Sequence, residues 1–318
     1  MKCKICGNSK ENKTYKIKEM MFGLREEFSY LKCGECGCLQ IIEVPEDLSN
    51  YYENYHQNKT FSKINLGIMK KFRILRDKYT LLGEGLIGKV LYKFFPPIDG
   101  LEAIKKVRIN KNTRILDVGC GTGTLLKIIN DLGFNKLLGV DLYIKDDIIY
   151  NDVLKIIKGP IFSIQEKWDL IIFNHSFEHI FNQIKVLKYA NQLLNKNGTC
   201  LIRIPVVSSF AWDQYGIDWV QIDAPRHFFL HSIKSMKIIA EKSGFQVVDI
   251  LFDSNEFQFW GSEQYKRDIP LLSPKSYFKN PKYSIFSKKQ IKYFKRKAER
   301  LNQKKIGDQA AFYLKKNV

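Results

Sequence analysis

The chain has 318 residues, 45% of them hydrophobic, so it is long enough to bury a sizeable core and is not a wholly disordered chain. Its formal net charge of +19 makes nucleic acid one candidate partner, but most of the excess lies between Lys275 and Lys316, so the rest of the chain is only mildly basic. No apolar run approaches the roughly 20 residues that a membrane-spanning helix needs. The N-terminus also lacks the apolar stretch of a signal peptide. We therefore expect a cytoplasmic protein without a transmembrane segment.

The N-terminal region carries most of the cysteines. Five of the seven lie within the first 38 residues, and four of these form two Cys-x-x-Cys pairs, Cys3 with Cys6 and Cys33 with Cys36. Two such pairs on facing hairpins place four thiolates around one tetrahedral Zn²⁺. We predict a zinc-ribbon-like module over residues 1–44 that needs its structural zinc to fold. A set of free cysteines or a redox pair is the alternative.

Residues 45–110 are predicted to form a connector and cap between this module and the rest of the chain. Apolar residues recur at helical spacing from Phe61 to Tyr79. Tyr51 and Tyr55 belong to an aromatic cluster, and we predict that they contact a substrate. Simple packing of the connector against the core is the alternative.

From residue 111 onward, strand patterns alternate with helix patterns, which is typical of a parallel α/β sheet. The predicted strands are residues 114–118, 136–141, 148–151, 170–174, 199–205 and 246–252. The predicted helices are residues 124–132, 181–194 and 233–243, and the apolar residues 257–260 could add an antiparallel edge strand. This pattern predicts an α/β, Rossmann-like domain over residues 111–270, followed by a basic extension over residues 271–318.

The first strand of this domain leads into a glycine-rich turn and then a helix. The turn has a Gly-x-Gly-x-Gly spacing at Gly119, Gly121 and Gly123, with Cys120 inside it. Dinucleotide-binding proteins use the longer Gly-x-Gly-x-x-Gly spacing. Asp117 precedes the turn, where it would repel a pyrophosphate but can receive the ammonium group of a methionine moiety. The turn therefore favours a cationic ligand.

Acidic residues follow two further predicted strands. Asp141 lies 18 residues after Gly123, about the distance at which an acid meets ribose hydroxyls. Asp152 follows residues 148–151 and is placed to accept from an adenine amino group. Acids at three successive strand ends predict S-adenosylmethionine as cofactor, in preference to a nicotinamide or a flavin. Three neighbours of these strand ends are predicted to line the same site: Leu142, Val153 and Asn174.

Residues 117–123 (Asp-Val-Gly-Cys-Gly-Thr-Gly) resemble motif I of class I S-adenosylmethionine-dependent methyltransferases. Residues 177–180 (Phe-Glu-His-Ile) are similar to the Leu-Glu-His-Val segment after the fourth strand of that family. The resemblance is to bacterial small-molecule methyltransferases with an N-terminal four-cysteine zinc ribbon, which are often associated with surface-polysaccharide or deoxysugar pathways. It covers roughly residues 1–270. It implies a mostly parallel seven-stranded sheet and a sugar or nucleotide-sugar as methyl acceptor.

A histidine-rich segment leaves the predicted fourth strand, at the edge of the sheet where ligands bind. We predict that His179 or His227 is the general base, with His175 as a third catalytic candidate. Glu178 is predicted to contact the substrate, although it could instead cap the following helix. A divalent ion held by His175, Glu178 and His179 is a further alternative.

Residues 208–231 follow the fifth predicted strand and are rich in aromatic and basic side chains. Such side chains can stack on a sugar and contact anionic oxygens. We predict that Trp212, Arg226 and His231 contact the substrate in this way. A lid that packs hydrophobically over the core is the alternative.

The segment from Lys275 to Lys316 holds 14 Lys and Arg but only 2 acids. We interpret it as a solvated basic tail, with weak contact to an anionic surface as a second role. An RNA methyltransferase that grips phosphates through the ribbon and this tail is the competing enzyme hypothesis. Residues 1–44 carry near-balanced charge, which favours a small polar metabolite as substrate. A non-catalytic cofactor-binding scaffold is the third hypothesis, and the intact acids argue against it.

Overall fold

The computed structural model describes residues 1–52, 67–97 and 100–317. Tyr55 lies outside these ranges, and its substrate contact stays a prediction. The helices are α1 (Ser49–Tyr52), α2 (Gly67–Leu82), α3 (Leu86–Phe94), α4 (Leu101–Lys105), α5 (Thr124–Asp131), α6 (Gln183–Leu193), α7 (Phe210–Tyr215), α8 (Ile233–Lys242), α9 (Phe257–Tyr265) and α10 (Lys288–Gln303). Within the described ranges, none of these helices combines the length and the apolar character that crossing a membrane requires.

The strands are β1 (Lys13–Lys18), β2 (Glu27–Lys32), β3 (Leu39–Ile41), β4 (Ile115–Val118), β5 (Leu137–Asp141), β6 (Ile148–Asn151), β7 (Leu154–Lys158), β8 (Trp168–Asn174), β9 (Leu194–Pro205), β10 (Phe229–Leu230), β11 (Phe245–Phe252) and β12 (Gln309–Lys316). They form two sheets. The N-terminal sheet has the order β1-β2-β3-β10 and is antiparallel. The second sheet has the order β11-β12-β9-β8-β4-β5-β7-β6.

The second sheet confirms the predicted mostly parallel α/β fold. Strands β7, β5, β4, β8 and β9 run parallel to one another. Every residue of β4 is buried, as expected for a strand covered on both faces. Leu126 of α5 packs in the core on one side, while Leu187 of α6 and Ile239 of α8 pack in the core on the other. The sheet therefore lies between two helical layers.

The edge of the sheet beyond β5 differs from the prediction. Residues 148–151 do not form a parallel strand next to β5; they form the outermost strand, β6, which is antiparallel to β7. The parallel neighbour of β5 is β7, a strand that was not predicted from the sequence. Because β6 has no buried residue and β7 buries only Leu154 and Ile156, neither strand has the continuous apolar run of a central parallel strand. The sheet consequently has eight strands and not seven.

The C-terminal segment is a second correction. Residues 257–260 belong to helix α9 and not to an edge strand. The antiparallel strand that the sequence did not predict is β12. It inserts between β11 and β9 and buries the side chains from Gln309 to Leu314. Residues 271–318 are therefore not an extension outside the domain, because their last strand completes its sheet. Seven of the 14 basic residues of this segment lie on α10, whose Ala298 and Leu301 are buried.

The cysteine-bearing sheet is joined to the rest of the molecule. Strand β10, from the second half of the chain, pairs with β3. The Tyr30 hydroxyl donates a 3.0 Å hydrogen bond to the carbonyl oxygen of His227. Tyr30 and Leu39 also belong to the same hydrophobic core as the β8 and β9 side chains. Loss of order in this sheet would therefore expose part of the main core.

Candidate active site

The glycine turn between β4 and α5 has the left-handed backbone that its sequence indicates. Gly119, Gly121 and Gly123 have φ angles of 73°, 54° and 72°, a region that residues with a side chain rarely adopt. A Cβ atom on Gly119 would lie 2.4 Å from Cβ of Ser176, so the turn touches the loop after β8. A Cβ atom on Gly121 would meet no atom within 4 Å, so this part of the turn is open to a ligand.

Asp141 lies at the carboxyl end of β5, next to this turn. One carboxylate oxygen accepts a 2.7 Å hydrogen bond from the Gly121 amide, and the other accepts a 2.8 Å bond from the Tyr143 amide. The carboxylate therefore fixes the turn. Because each oxygen has a second lone pair, it can also accept hydrogen bonds from ribose hydroxyls, as predicted.

Asp117 is buried at the end of β4, with 3% of its surface exposed. Burial, together with the nearby Asp141 carboxylate, raises the pKa of Asp117 to about 7. An ammonium group next to Asp117 would favour its ionised form. The position therefore fits the methionine end of the predicted cofactor.

This raised pKa predicts a pH dependence of cofactor binding. Below pH 7 the free protein holds Asp117 protonated, and binding of an ammonium group must displace that proton. We expect affinity for S-adenosylmethionine to be roughly 20-fold weaker at pH 5.5 than at pH 7.5. Calorimetric titration at the two pH values measures this. The variant Asp117→Asn should bind weakly with a flat pH profile; an equally steep profile in that variant would rule out Asp117 as the titrating group.

The structure corrects the prediction for Asp152 and Val153. Both lie in the turn between β6 and β7. Leu154 pairs with Leu137 at the start of β5, whereas Asp141 pairs with Lys158 at the opposite end. Four residue steps separate these ends, or about 13 Å of strand. Asp152 therefore cannot share a ligand with Asp141, and the corresponding position after β7 is occupied by Gly159, whose amide donates to the Asp141 carbonyl oxygen at 3.0 Å.

Three other residues that were predicted to contact the cofactor lie in the turn or at the ends of β5 and β8. Cys120 is within the turn, but its sulfur packs over Gly139 of β5. A Cβ atom added to Gly139 would lie 2.5 Å from this sulfur. Leu142 is 56% exposed directly after Asp141. Asn174 ends β8, and its Oδ1 accepts a 3.3 Å hydrogen bond from Nη1 of Arg203. Their contacts with a cofactor stay predictions.

The loop after β8 brings His175 and Glu178 together. Nε2 of His175 accepts a 2.7 Å hydrogen bond from Nη1 of Arg203, because a guanidinium only donates. Nδ1 of His175 therefore carries the proton, and it lies 3.4 Å from Oε1 of Glu178. Because Arg203 occupies the Nε2 lone pair, His175 has no basic nitrogen left to act as a general base. Arg203, which orients His175, was missed by the sequence reading, although it stands alone in an apolar strand.

Glu178 is completely buried in a short 3-10 turn, Phe177–His179. It does not cap α6, which begins five residues later at Gln183. Burial alone would raise the pKa of Glu178, but the three imidazoles around it outweigh this effect and lower that pKa to about 2. Within the described part of the chain, neither carboxylate oxygen has a hydrogen-bond partner. The Glu178 carboxylate is therefore ionised and completely buried, and the protonated Nδ1 of His175 faces it at 3.4 Å.

His179 and His227 lie next to this carboxylate. Nδ1 of His179 bonds to the Arg226 carbonyl oxygen at 2.9 Å, and Nδ1 of His227 bonds to the Gln221 carbonyl oxygen at 2.8 Å. The two rings meet edge to face, with centroids 4.7 Å apart. Burial, followed by the neighbouring His227 imidazole, lowers the pKa of His179 to about 4. The structure thus brings two of the predicted catalytic histidines together around Glu178.

Arg226 contacts other protein groups in the structure, and not the substrate as was predicted for it. Its guanidinium is fully buried and donates to both carboxylate oxygens of Asp223 and to the carbonyl oxygen of Tyr51 at 3.1 Å. Glu19 approaches to 4.0 Å. Arg226 therefore links the segment after α7 to helix α1 and to the residue after β1, and it is not placed to bind substrate.

We predict that Arg226→Met strongly destabilises the fold, because it leaves the Asp223 carboxylate, whose side chain is only 16% exposed, without its guanidinium partner. Removal of one member of a buried pair costs about 3–5 kcal/mol. The urea midpoint of unfolding, followed by circular dichroism, measures the loss. A normal midpoint combined with a raised KM for the acceptor would instead support the substrate contact.

The remaining predicted substrate residues are also packed inside the protein. Nδ1 of His231 bonds to the Ser235 hydroxyl and Nε2 to Oε1 of Gln183, each at 2.9 Å, so both ring nitrogens are used. Trp212 is 6% exposed and meets Tyr15 edge to face. Tyr51 is also 6% exposed, and its hydroxyl donates to Glu26. Packing inside the protein therefore describes these three side chains better than a substrate contact, although His231 and Tyr51 also make hydrogen bonds there.

The four cysteines of the two pairs converge at one end of the N-terminal sheet. The sulfur atoms of Cys3 and Cys36 lie 3.6 Å apart, and those of Cys6 and Cys33 lie 3.5 Å apart. All four lie within 4.8 Å of one another, and Cys38 is outside the group. No disulfide joins any of the seven cysteines. This arrangement is one that could hold a tetrahedral metal ion.

The mostly parallel sheet and its glycine turn define a Rossmann-like class I methyltransferase fold. A sequence family described as "Methyltransferase domain" matches residues 92–250, which is half of the chain. The chain belongs to this family. It is an enzyme that uses S-adenosylmethionine as methyl donor.

Several solved structures resemble the chain in fold. They include an S-adenosylmethionine-dependent methyltransferase from Archaeoglobus fulgidus (20% identity, TM-score 0.43, 72% of this chain and 99% of that one). A cyclopropane synthase from Mycobacterium tuberculosis has 16% identity and a TM-score of 0.41, over 69% of this chain and 87% of that one. An S-adenosylmethionine-dependent methyltransferase from Mesorhizobium loti has 14% identity and a TM-score of 0.42, over 66% and 94%. No protein of curated function matches the chain in sequence.

Proposed function

We propose that the protein transfers a methyl group from S-adenosylmethionine to a small polar metabolite, a sugar or nucleotide-sugar of surface-polysaccharide or related biosynthesis. The burial of Glu178 and His227 is the observation that supports a small acceptor. Glu178 is fully buried and the His227 side chain is 8% exposed. A recessed group of this kind is reached more easily by a small molecule than by a folded nucleic acid.

Methyl transfer is an in-line displacement at the sulfonium methyl carbon. The bond from sulfur to carbon breaks as the bond from carbon to the acceptor forms, and S-adenosylhomocysteine leaves. An O–H or acidic C–H acceptor must also lose its proton to solvent or to a protein base. We propose that Glu178, His179 and His227, grouped around the loop whose Ser176 packs against Gly119, promote that loss. Positioning of the two reactants supplies the larger part of the rate.

We further propose that the four N-terminal thiolates hold a structural zinc ion. The separations of 3.6 Å and 3.5 Å between sulfur atoms fit tetrahedral coordination, in which Zn–S bonds of about 2.3 Å place sulfurs about 3.8 Å apart. The amides of Ile5 and Cys36 point at the sulfurs of Cys3 and Cys33, at 3.4 Å and 3.5 Å. Such N–H···S contacts stabilise thiolates.

RNA is the alternative acceptor, and one observation favours it. Helix α10 presents an exposed basic face, formed by Lys288, Lys289, Lys292, Lys295 and Arg296. Phosphate contacts through such a face would make binding strongly salt-dependent.

One labelling experiment separates the two acceptors. The full chain is incubated with S-adenosylmethionine labelled in its methyl group and with either a panel of nucleotide-sugars or total RNA. We expect label in a small-molecule product that is insensitive to ribonuclease. Label transferred to RNA alone would overturn the proposal.

A further inference from the structure

Helix α3 has an apolar side that is exposed to solvent. Four of its side chains are between 56% and 83% exposed: Leu86, Ile87, Val90 and Phe94. At about 100° per residue, these positions fall within one stripe about 100° wide along the helix. Single exposed apolar side chains are normal on a protein surface, whereas a grouped set marks an interaction surface. The four side chains form what we term the apolar stripe of α3.

The opposite side of α3 packs on α2. Gly88 is buried, and a Cβ atom added to it would lie 2.2 Å from the carbonyl oxygen of Leu75. One turn further along α3, the ring of Tyr92 meets the ring of Tyr79 edge to face, with centroids 5.8 Å apart. Because this side of the helix is held against α2, the apolar stripe faces away from α2.

Lysines border the apolar stripe. Lys89 and Lys93 are exposed and lie one helical turn apart along one edge of it. Helices α2 and α3 together carry seven Lys and Arg but only one acid, Asp77. A helix with Leu and Phe on one side and Lys beside them suits a lipid surface, where apolar side chains enter the acyl region and ammonium groups meet phosphates. The nine residues of α3 span only about 13 Å, so the helix would lie on a bilayer and not cross it.

We propose that the apolar stripe of α3 and its lysines dock the protein on the surface of an anionic phospholipid bilayer. A second copy of the chain fits this surface less well, because a two-fold interface brings the same surface together with itself. Lys89 and Lys93 of both copies would then meet at one interface, and α3 contains no acid to pair with them. RNA also fits less well, because bases stack on aromatic rings and three of the four stripe residues are aliphatic.

The stripe lies within reach of the candidate active site. Phe94 ends α3 six residues before Gly100, a length of chain that spans at most about 22 Å. A Cβ atom on Gly100 would lie 2.9 Å from Oδ1 of Asn174, the last residue of β8. Docking through α3 would therefore hold the carboxyl edge of the sheet close to the lipid surface.

Co-sedimentation of the full chain with lipid vesicles tests this surface. Vesicles of phosphatidylglycerol and phosphatidylcholine are compared with vesicles of phosphatidylcholine alone, in about 0.1 M salt. The test variant is Leu86→Gln combined with Phe94→Gln. Both side chains are exposed, so the variant should fold normally, which circular dichroism checks. We expect its partition onto the anionic vesicles to fall at least 30-fold, since burial of one such side chain changes a partition coefficient roughly tenfold or more.

The lysines are tested separately. Lys89→Gln combined with Lys93→Gln should lower partition onto the anionic vesicles roughly 20-fold, since each lysine near such a surface contributes about fivefold. We expect no change with phosphatidylcholine alone, because that surface has no net charge. An equal loss on both kinds of vesicle would contradict a role for the two lysines in recognising anionic lipid.

Ile149→Gln combined with Val248→Gln is the matched control. These two side chains are also exposed, and they lie on β6 and β11, the outermost strands of the large sheet. We expect the control to bind vesicles like wild type. Equal binding by wild type and by the Leu86 and Phe94 variant would overturn the proposal, because charge elsewhere, such as the basic face of α10, would then carry the binding. A wild-type protein that stays in the supernatant would also overturn it, whether it dimerises through the stripe or binds RNA instead. Vesicle binding does not require methyl transfer, so failure of either proposal leaves the other standing.

Discussion

Replacement of Asp141 by alanine should weaken binding of S-adenosylmethionine roughly 30- to 1,000-fold, which corresponds to about 2–4 kcal/mol. The carboxylate fixes the glycine turn through the Gly121 amide and is placed to accept ribose hydroxyls. The variant loses both the support of the turn and the predicted ribose contact. The described hydrogen bonds of the Asp141 side chain go only to the amides of Gly121 and Tyr143, so we expect the sheet to stay folded. Calorimetric titration of the full chain with S-adenosylmethionine measures the change.

Asp152→Ala is the matched control for this variant. It removes an acid that was predicted to contact the adenine but that the structure places in the β6–β7 turn, at the opposite end of the strands from Asp141. We expect its affinity for S-adenosylmethionine to stay within about twofold of wild type, since the site is some 13 Å of strand away. A large loss in Asp152→Ala would restore the sequence interpretation and contradict the observed β6–β7 register.

Cys33→Ser is expected to have the largest effect on stability. Structural zinc contributes about 10–16 kcal/mol to the folding of small zinc modules, so loss of one thiolate should remove several kcal/mol. The cysteine-bearing sheet shares its core with the strands of the catalytic domain. We therefore expect the melting temperature to fall by roughly 10 °C or more, and zinc to be lost from the purified protein.

Cys38→Ser controls for the loss of a buried thiol in the same sheet. Cys38 is fully buried but lies outside the group of four, and its sulfur donates to the Leu39 carbonyl oxygen. We expect a much smaller fall in melting temperature and no loss of zinc. Equal effects of Cys33→Ser and Cys38→Ser, with no zinc in the wild-type protein, would contradict a zinc site.

Local patterns in the sequence predicted the centre of the fold well. The apolar run before Gly119 and the glycine spacing define β4 and its turn, because these features depend on neighbouring residues alone. Helices α5, α6 and α8 were predicted to within about two residues of their ends. The convergence of the two cysteine pairs was also foreseen, since tetrahedral coordination constrains their spacing.

Elements that depend on distant partners were not predicted. Strand β12 lies in a segment that reads as a basic tail, and its place between β11 and β9 is visible only once the sheet is assembled. The edge strands β6 and β7 have too few buried residues for their pattern to reveal which of them lies next to β5. Asp152 was misplaced for that reason.

In the candidate active site, too, features that depend on neighbouring residues were predicted, and features that depend on distant contacts were not. Asp117, Asp141 and His179 lie at or just after the carboxyl ends of β4, β5 and β8, and their contacts with cofactor and acceptor stay predictions. Arg226 and His231 read as ligand contacts because polar side chains in a long loop commonly bind ligands. In the structure each is buried and bonded to protein groups, and only the three-dimensional contacts reveal this.

Calorimetric titration of the wild-type protein with S-adenosylmethionine, with NAD⁺ as the comparison, tests the central claim most directly. Asp117 before the turn and Asp141 beside it should favour a sulfonium nucleoside over a pyrophosphate. The account predicts saturable binding of S-adenosylmethionine near pH 7.5 and none of NAD⁺. Saturable binding of NAD⁺ without binding of S-adenosylmethionine would contradict it.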